Sequence, residues 1–381
     1  MTDRDIAVSL RAMLDPAIVP SYVLSAARIA RRAVRGPHRF SGDARAIARA
    51  CVESAWDRDH FDASGGHFRQ FWTRDTGFSA EPLVRTGFGD RLKASLAWAL
   101  DSWAPAGRVT TTIFPGRRPR DVFTFGVDSL PLLLHALRAC GAGDLVARHA
   151  AWLEPEAHRY VRTVVDPETG LVRADRRFSS HRDTVVTSCN GYANAMVVVM
   201  DQVLRDTRWF PSPVADGMQD RFLAAFWKAG HFVDTPAGDE VTGDATVFPF
   251  WLGVVPDRLG LATALGAARR VGLASPLPLR YVSRYDPRSE DPIQRWFVPD
   301  YQGTAIWTSL GAIYLQLLDR VDPLAVQEPL AAYAALVERA GTVWEVLDDE
   351  LRPYSGRLGI FRADEAMLWA AILLDLLERR A

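Results

Sequence analysis

Six short stretches of the chain set carboxylates or amides beside aromatic rings. They hold Asp75 in "FWTRDTGF", Asp128 in "GVDSLPLLL", Asn190 in "SCNGYANA", Asp244 in "GDATVFPFW", Gln302 in "DYQGTAIW" and Glu345 in "TVWEVLDDE". A packed core has no use for the charges, and a solvated face has none for the tryptophans. Flat rings pack on the C–H faces of a sugar, while Asp, Arg, Asn and Gln take its hydroxyls in paired hydrogen bonds. The mixture is that of a carbohydrate site. Cleaving a glycosidic bond asks in addition for only two carboxyl groups and a water: one gives a proton to the leaving oxygen, the other takes one from the water. Taken singly, each stretch has a plainer explanation, because Asp, Asn or Ser ahead of a helix is ordinarily its N-cap.

Their spacing argues for the site. The six clusters recur at intervals of 43 to 62 residues, and most run straight into an apolar helix. A helix pair with its loops takes roughly that length at a rise of about 1.5 Å per residue. Apolar residues fall at i, i+3, i+4 and i+7 over 83–103, 129–141, 193–204, 304–321, 323–341 and 365–380, and a first helical pair is expected over 17–34 and 43–56. Only 107–114 and 170–178 read as strands or hairpins, both within loops. No GxGxxG follows a strand and no βαβ alternation occurs, so the class is all-α. With no linker and no shift in composition, residues 1–381 read as one domain. If every second loop carries a cluster, six helical hairpins closed into an (α/α)6 toroid present the N-termini of the inner helices to one cavity.

Composition narrows the partners. The chain has 381 residues, is 48% hydrophobic and carries a formal net charge of −1. Nucleic acid and anionic membranes both call for a basic face, so neither is expected as a partner. The start, "MTDRDIAVSL", is charged and unlike a secretory signal, and apolar runs such as "AMVVVM" fall far short of the ~18 residues that cross a bilayer. Cys51, Cys140 and Cys189 are scattered in apolar settings and read as reduced buried thiols of a cytoplasmic protein. No HxxxH, HExxH or CxxC pattern occurs, so neither a zinc site nor a cofactor is expected.

The order "WTRD", "VDSLPLLLHAL", "YQGTAIW", "WEV", "EAMLWAA" resembles the (α/α)6-barrel glycoside hydrolases, the relatives of glucoamylase, glycogen-debranching glucosidases, processing α-glucosidase, trehalase and neutral invertase. The likeness runs from about residue 70 onward and rests on short motifs. It implies that Trp72, Arg74 and Asp75 grip the terminal sugar, that Asp128 is the general acid and that Glu345 is the general base, with Glu365 a rival. It also implies that Tyr301, Gln302 and Trp307 line the sugar pocket, with Asn190, Tyr192 and Asp244 added from the neighbouring clusters. Val127 and Leu130 to Leu134 would desolvate Asp128 and raise its pKa, as an acid at neutral pH needs.

The expected function is inverting hydrolysis of a small α-glucoside or related glycoside. The chain lacks the β-sandwich of the larger relatives and carries "TSCNGYANA" where a longer substrate loop is expected, both of which suit a small substrate. Sugar epimerases and unsaturated-uronide hydrolases use the same barrel and differ by a pair of histidines facing the cavity, for which His67, His181 and His231 are the loop candidates. A non-catalytic carbohydrate-binding protein would leave the carboxylate pair without a task. His181 and Arg182 sit in a polar loop that either is solvated or reaches an acidic aglycone, and Trp251 and Trp369 read as core. The oligomeric state is not legible.

Overall fold

The computed structural model describes residues 19–122, 124–183, 185, 188–359 and 361–381. Its first helical pair is α1 (Val19–Arg35) and α2 (Ala44–Ser54), as the periodicity predicts. After these, helices that are buried on all sides alternate with helices buried on one stripe.

The buried set comprises α3 (Thr73–Phe78) with α4 (Ala80–Leu83), α6 (Ser129–Ala139), α8 (Gly191–Thr207), α10 (Gly243–Trp251), α13 (Thr308–Val321) and α15 (Ala370–Arg379). Each packs on the next, and α15 returns to α4, which closes a ring of six among the described residues. Outside it run α2, α5 (Gly89–Trp103), α7 (Gly143–Val164), α9 (Met218–Phe226), α11 (Leu261–Arg270) and α14 (Gln327–Ala340). The fold is an all-α (α/α)6 barrel.

The two rings differ as their sequences require. All nine residues of α10 are buried, as is every residue of α13 from Thr308 to Leu318. Helix α7 buries Leu145, Val146, His149, Leu153, Ala157, Tyr160 and Val164, a stripe at helical spacing. An apolar surface all round belongs inside, and an amphipathic one belongs at the boundary with solvent. The inner helices also sit close together. A Cβ at Gly77 would lie 2.4 Å from Leu132 Cβ, so α3 meets α6 where only glycine fits.

One expected helix divides. The periodicity over 83–103 continues across "RTGFG", but Gly87 has φ of 89°, and the chain turns there from inner α4 to outer α5. Positive φ is where glycine alone is at ease, so the hydrophobic pattern survives the break that the backbone makes. Short ladders pin the loops at the inner N-termini. Strand β1 (Phe71–Trp72) pairs with β2 (Thr112–Phe114), which pairs with β3 (Arg118–Arg120); β4 (Ile306–Trp307) pairs with β5 (Val346–Leu347). Val165 and Val172 form an isolated bridge where a strand was expected.

No helix among the described residues is long and apolar enough to cross a membrane. The three cysteines are free; Cys51 is buried as expected, whereas Cys140 and Cys189 are only partly so.

Candidate active site

The inner-helix N-termini and their loops enclose a cavity of about 470 Å³, within the roughly 300–1,000 Å³ of small-molecule sites. Trp72, Arg74, Asp75, Tyr301, Gln302, Trp307 and Glu345 all line it, though the first three lie more than 200 residues before the others in the chain. The ladders explain the convergence. β1 ends at Trp72 immediately before α3, and Trp307 of β4 pairs with Val346 of β5, next to Glu345. Trp307, Trp369 and Trp72 supply flat walls.

Glu345 is held at both oxygens. The Tyr301 hydroxyl donates to Oε1, and the Asp364 amide donates to Oε2 at 2.9 Å. Burial pushes Glu345 up to about 7, against these two donors, which favour its charged form. The negative charge of Asp364 beside it adds to the rise. Asp364 itself goes the other way: burial would raise it, but His67, the Ser64 hydroxyl and the Phe68 amide together hold it well below the usual carboxylate range. His67 Nδ1 lies 2.7 Å from Asp364 Oδ1, close but poorly aligned for a hydrogen bond. Glu365, the rival to Glu345, turns instead to Arg32 of α1 and is not among the residues lining the cavity. Burial pushes Asp75 up to about 7 as well, partly opposed by Arg74.

Asp128 is not on the cavity wall. It is fully buried behind Arg74, whose Nε donates to Oδ2 at 2.5 Å, and the Tyr192 hydroxyl donates to the same oxygen at 2.8 Å. Its chain neighbours Val127, Leu130 and Leu132 to Leu134 are buried too, and Asp128 is not among the residues lining the cavity. Arg74 pairs with Asp183 as well, Nη1 to Oδ2 at 2.8 Å, and Ser179 donates to the other oxygen. Asp183 does line the cavity. One guanidinium thus forks onto two carboxylates, one sealed and one facing the ligand space.

Three further expected contacts lie behind the wall. Asn190 caps α8, its Oδ1 accepting from the Ala193 amide. Tyr192 is spent on Asp128. Asp244 accepts from Arg182 Nε at 3.1 Å, and Arg182 also pairs with Asp234. The loop of His181 and Arg182 is buried, not solvated, and Trp369 is core as expected while one side of it also lines the cavity. Trp251 is core as expected, its Nε1 donating to the Phe78 carbonyl.

His181 and Asp183 join the expected residues on the cavity wall. His181 lines the cavity with Nδ1 engaged by the Tyr281 hydroxyl, and its carbonyl accepts from Gln302 Nε2 at 3.0 Å. Burial, with Arg74 and Arg182 nearby, pushes its pKa well down, so the imidazole is neutral. The signal in the sequence is "SSHRDT" itself, six polar residues ahead of an inner helix. Buried Ser309 Oγ and Trp72 Nε1 also lie on this wall and meet no hydrogen-bond partner among the described residues.

No protein-family model and no curated protein matches the chain by sequence. Solved structures do match in fold. A glycosidase variant in complex with glucose superposes with a TM-score of 0.65 at 17% identity, over 88% of this chain and 96% of that one. A GH63 mannosylglycerate hydrolase from Thermus thermophilus, in complex with Tris and D-glycerate, gives 0.57 at 16%, over 88% and 100%. A rhamnosidase from Klebsiella oxytoca with rhamnose bound gives 0.61 at 14%, over 90% and 65%.

Proposed function

We propose that this protein is a glycoside hydrolase acting with inversion on a small α-glucoside or related glycoside. The observation that carries the reading is Glu345: a carboxyl raised to about 7, on the wall of a cavity whose other walls are tryptophans and hydroxyl-binding groups. The shared fold with proteins described as glycosidases, one holding glucose and one rhamnose, supports it as analogy.

In this reading Glu345 is the general base. Its two bound donors fix the carboxylate, and a pKa near 7 balances ionisation against proton affinity at neutral pH. It draws a proton from the water that attacks the anomeric carbon. The general acid is Asp183 in place of Asp128, because a proton donor has to touch the leaving oxygen. Of the two carboxylates that Arg74 pairs with, only Asp183 lines the cavity. Asp128 then acts through Arg74, as a positioning residue. Asp75, Trp72 and Gln302 hold the terminal sugar, and Ser309 Oγ and Trp72 Nε1 gain partners from its hydroxyls.

A hydrolysis panel of small glycosides, with the product anomer read by NMR, tests the reading. Inverted product from wild type is expected, with kcat lowered at least about a hundredfold in Glu345→Gln and in Asp183→Asn; near-wild-type turnover by either variant refutes the assignment. One observation favours epimerisation on the same barrel, namely that His67 and His181 both line the cavity. Incubation of free sugars in deuterated water separates the two, since epimerisation carries deuterium onto carbon and hydrolysis does not.

A further inference from the structure

Ile29, Phe68, Val122 and Phe361 line the cavity and are partly exposed, so they form an apolar collar at its mouth, beside partly exposed Trp72 and Asp75. Trp369, Ser309, Glu345, Phe114 and Val298 line it as well and are buried. The collar adjoins the sugar-binding residues: the Phe361 ring packs edge-on against Tyr301 at 5.0 Å, and Phe68 against Trp72 at 6.5 Å. Ser25 and Gln294 add only neutral polar groups there.

Charge points the same way. Arg74 is the sole lysine or arginine among the described residues lining the cavity, and its guanidinium is taken up by Asp128 and Asp183. Asp75, Asp183 and Glu345 face the same space. Among the described lining residues, an anionic leaving group would meet three carboxyls and no lysine or arginine beyond the already paired Arg74, and burying such a charge unpaired is costly. A flat or aliphatic leaving group would instead cover the four partly exposed apolar side chains Ile29, Phe68, Val122 and Phe361.

We infer that the leaving group of the substrate is uncharged and apolar, an aryl or alkyl aglycone and not a carboxylate-bearing one. This rests on the hydrolase reading above and adds the aglycone class to it. The test compares kcat/KM on three α-glucosides sharing one glycone: phenyl, octyl (below its micellar concentration) and the glucoside of glyceric acid. Phenyl and octyl should exceed the glycerate compound by at least about tenfold. Equal or reversed preference overturns the inference and leaves the hydrolase reading standing. If none of the three is cleaved, the hydrolase reading fails for glucosides, and calorimetric binding to the Glu345→Gln protein decides the aglycone: octyl glucoside should bind at least about tenfold tighter than the glycerate glucoside, and equal or weaker binding overturns it. Val122→Lys at the half-exposed mouth should narrow the preference in whichever measurement applies; an unchanged ratio counts against the collar as its source.

Discussion

Arg74 donates through Nε to Asp128 and through Nη1 to Asp183, so one buried guanidinium ties a carboxylate at the head of α6 to another on the loop leading into α8. In the sequence "WTRD" reads as a grip on the sugar. In the structure Arg74 is also a clasp between two inner helices, and that changes what its removal does.

Arg74→Ala should therefore cost folding as well as turnover. It leaves Asp128 and Asp183 buried without their cation, and breaking a buried pair from one side typically costs about 3–5 kcal/mol. Urea denaturation should show the midpoint falling, more than for Asp128→Asn, which keeps one carboxylate for the one guanidinium. Asp183→Asn, in contrast, should lower kcat by about 10²–10⁴ as loss of a general acid does, while Asp128→Asn should lower it by far less. Equal losses in the two Asn variants would remove the distinction between acid and positioning residue.

Glu345→Gln separates catalysis from stability through pH. The folded pKa of Glu345 is raised from its ordinary 4.5 to about 7. A raised carboxyl contributes stability that is full below about 4.5 and lost as pH climbs through about 7, because the folded state resists the charge. The variant has no charge to resist. Its thermal midpoint relative to wild type should thus improve between pH 5 and pH 8, while kcat stays strongly lowered throughout. A difference independent of pH would mean that Glu345 is not desolvated in the folded protein.

The ring of helices was legible because burial on all sides leaves a continuous apolar run, as "SLPLLLHAL" and "AMVVVM" do. Cluster spacing located the inner N-termini, and Trp72, Arg74, Asp75, Tyr301, Gln302, Trp307 and Glu345 do meet at one cavity. What sequence does not carry is depth. Asp128 and Asp183 both precede inner helices, and nothing in their neighbours tells which faces the ligand; that depends on where Arg74 reaches. The break at Gly87 is likewise a backbone event under an unbroken hydrophobic pattern.

Gly77→Ala tests the tightness of the ring. Its Cβ would meet Leu132 Cβ at 2.4 Å and the Leu132 carbonyl at 3.0 Å, and backbone cannot step aside as a side-chain tip can. Overpacking of this kind costs about 1–3 kcal/mol. Since α3 carries Arg74 and Asp75, kcat/KM should fall with stability. Calorimetry and kinetics on the same preparation check this, and an unaltered midpoint would show that α3 and α6 have room to part.

Two substitutions should move the acidic limb of kcat/KM in opposite directions. That limb reports ionisation of Glu345 in the free enzyme and is expected near pH 7. Tyr301→Phe deletes the hydroxyl that donates to Oε1 and favours the charged form, so the limb should shift to higher pH by about one unit, the scale of a hydrogen bond to a charged group. Asp364→Asn removes a negative charge that opposes ionisation of Glu345 while keeping the backbone amide that donates to Oε2, so the limb should shift to lower pH. Asp364 also anchors Ser64 and the His67 and Phe68 amides, so this variant should be assayed well below its lowered midpoint. Purely structural roles would lower activity at every pH and leave the limb in place; opposed shifts require Glu345 to be the titrating base.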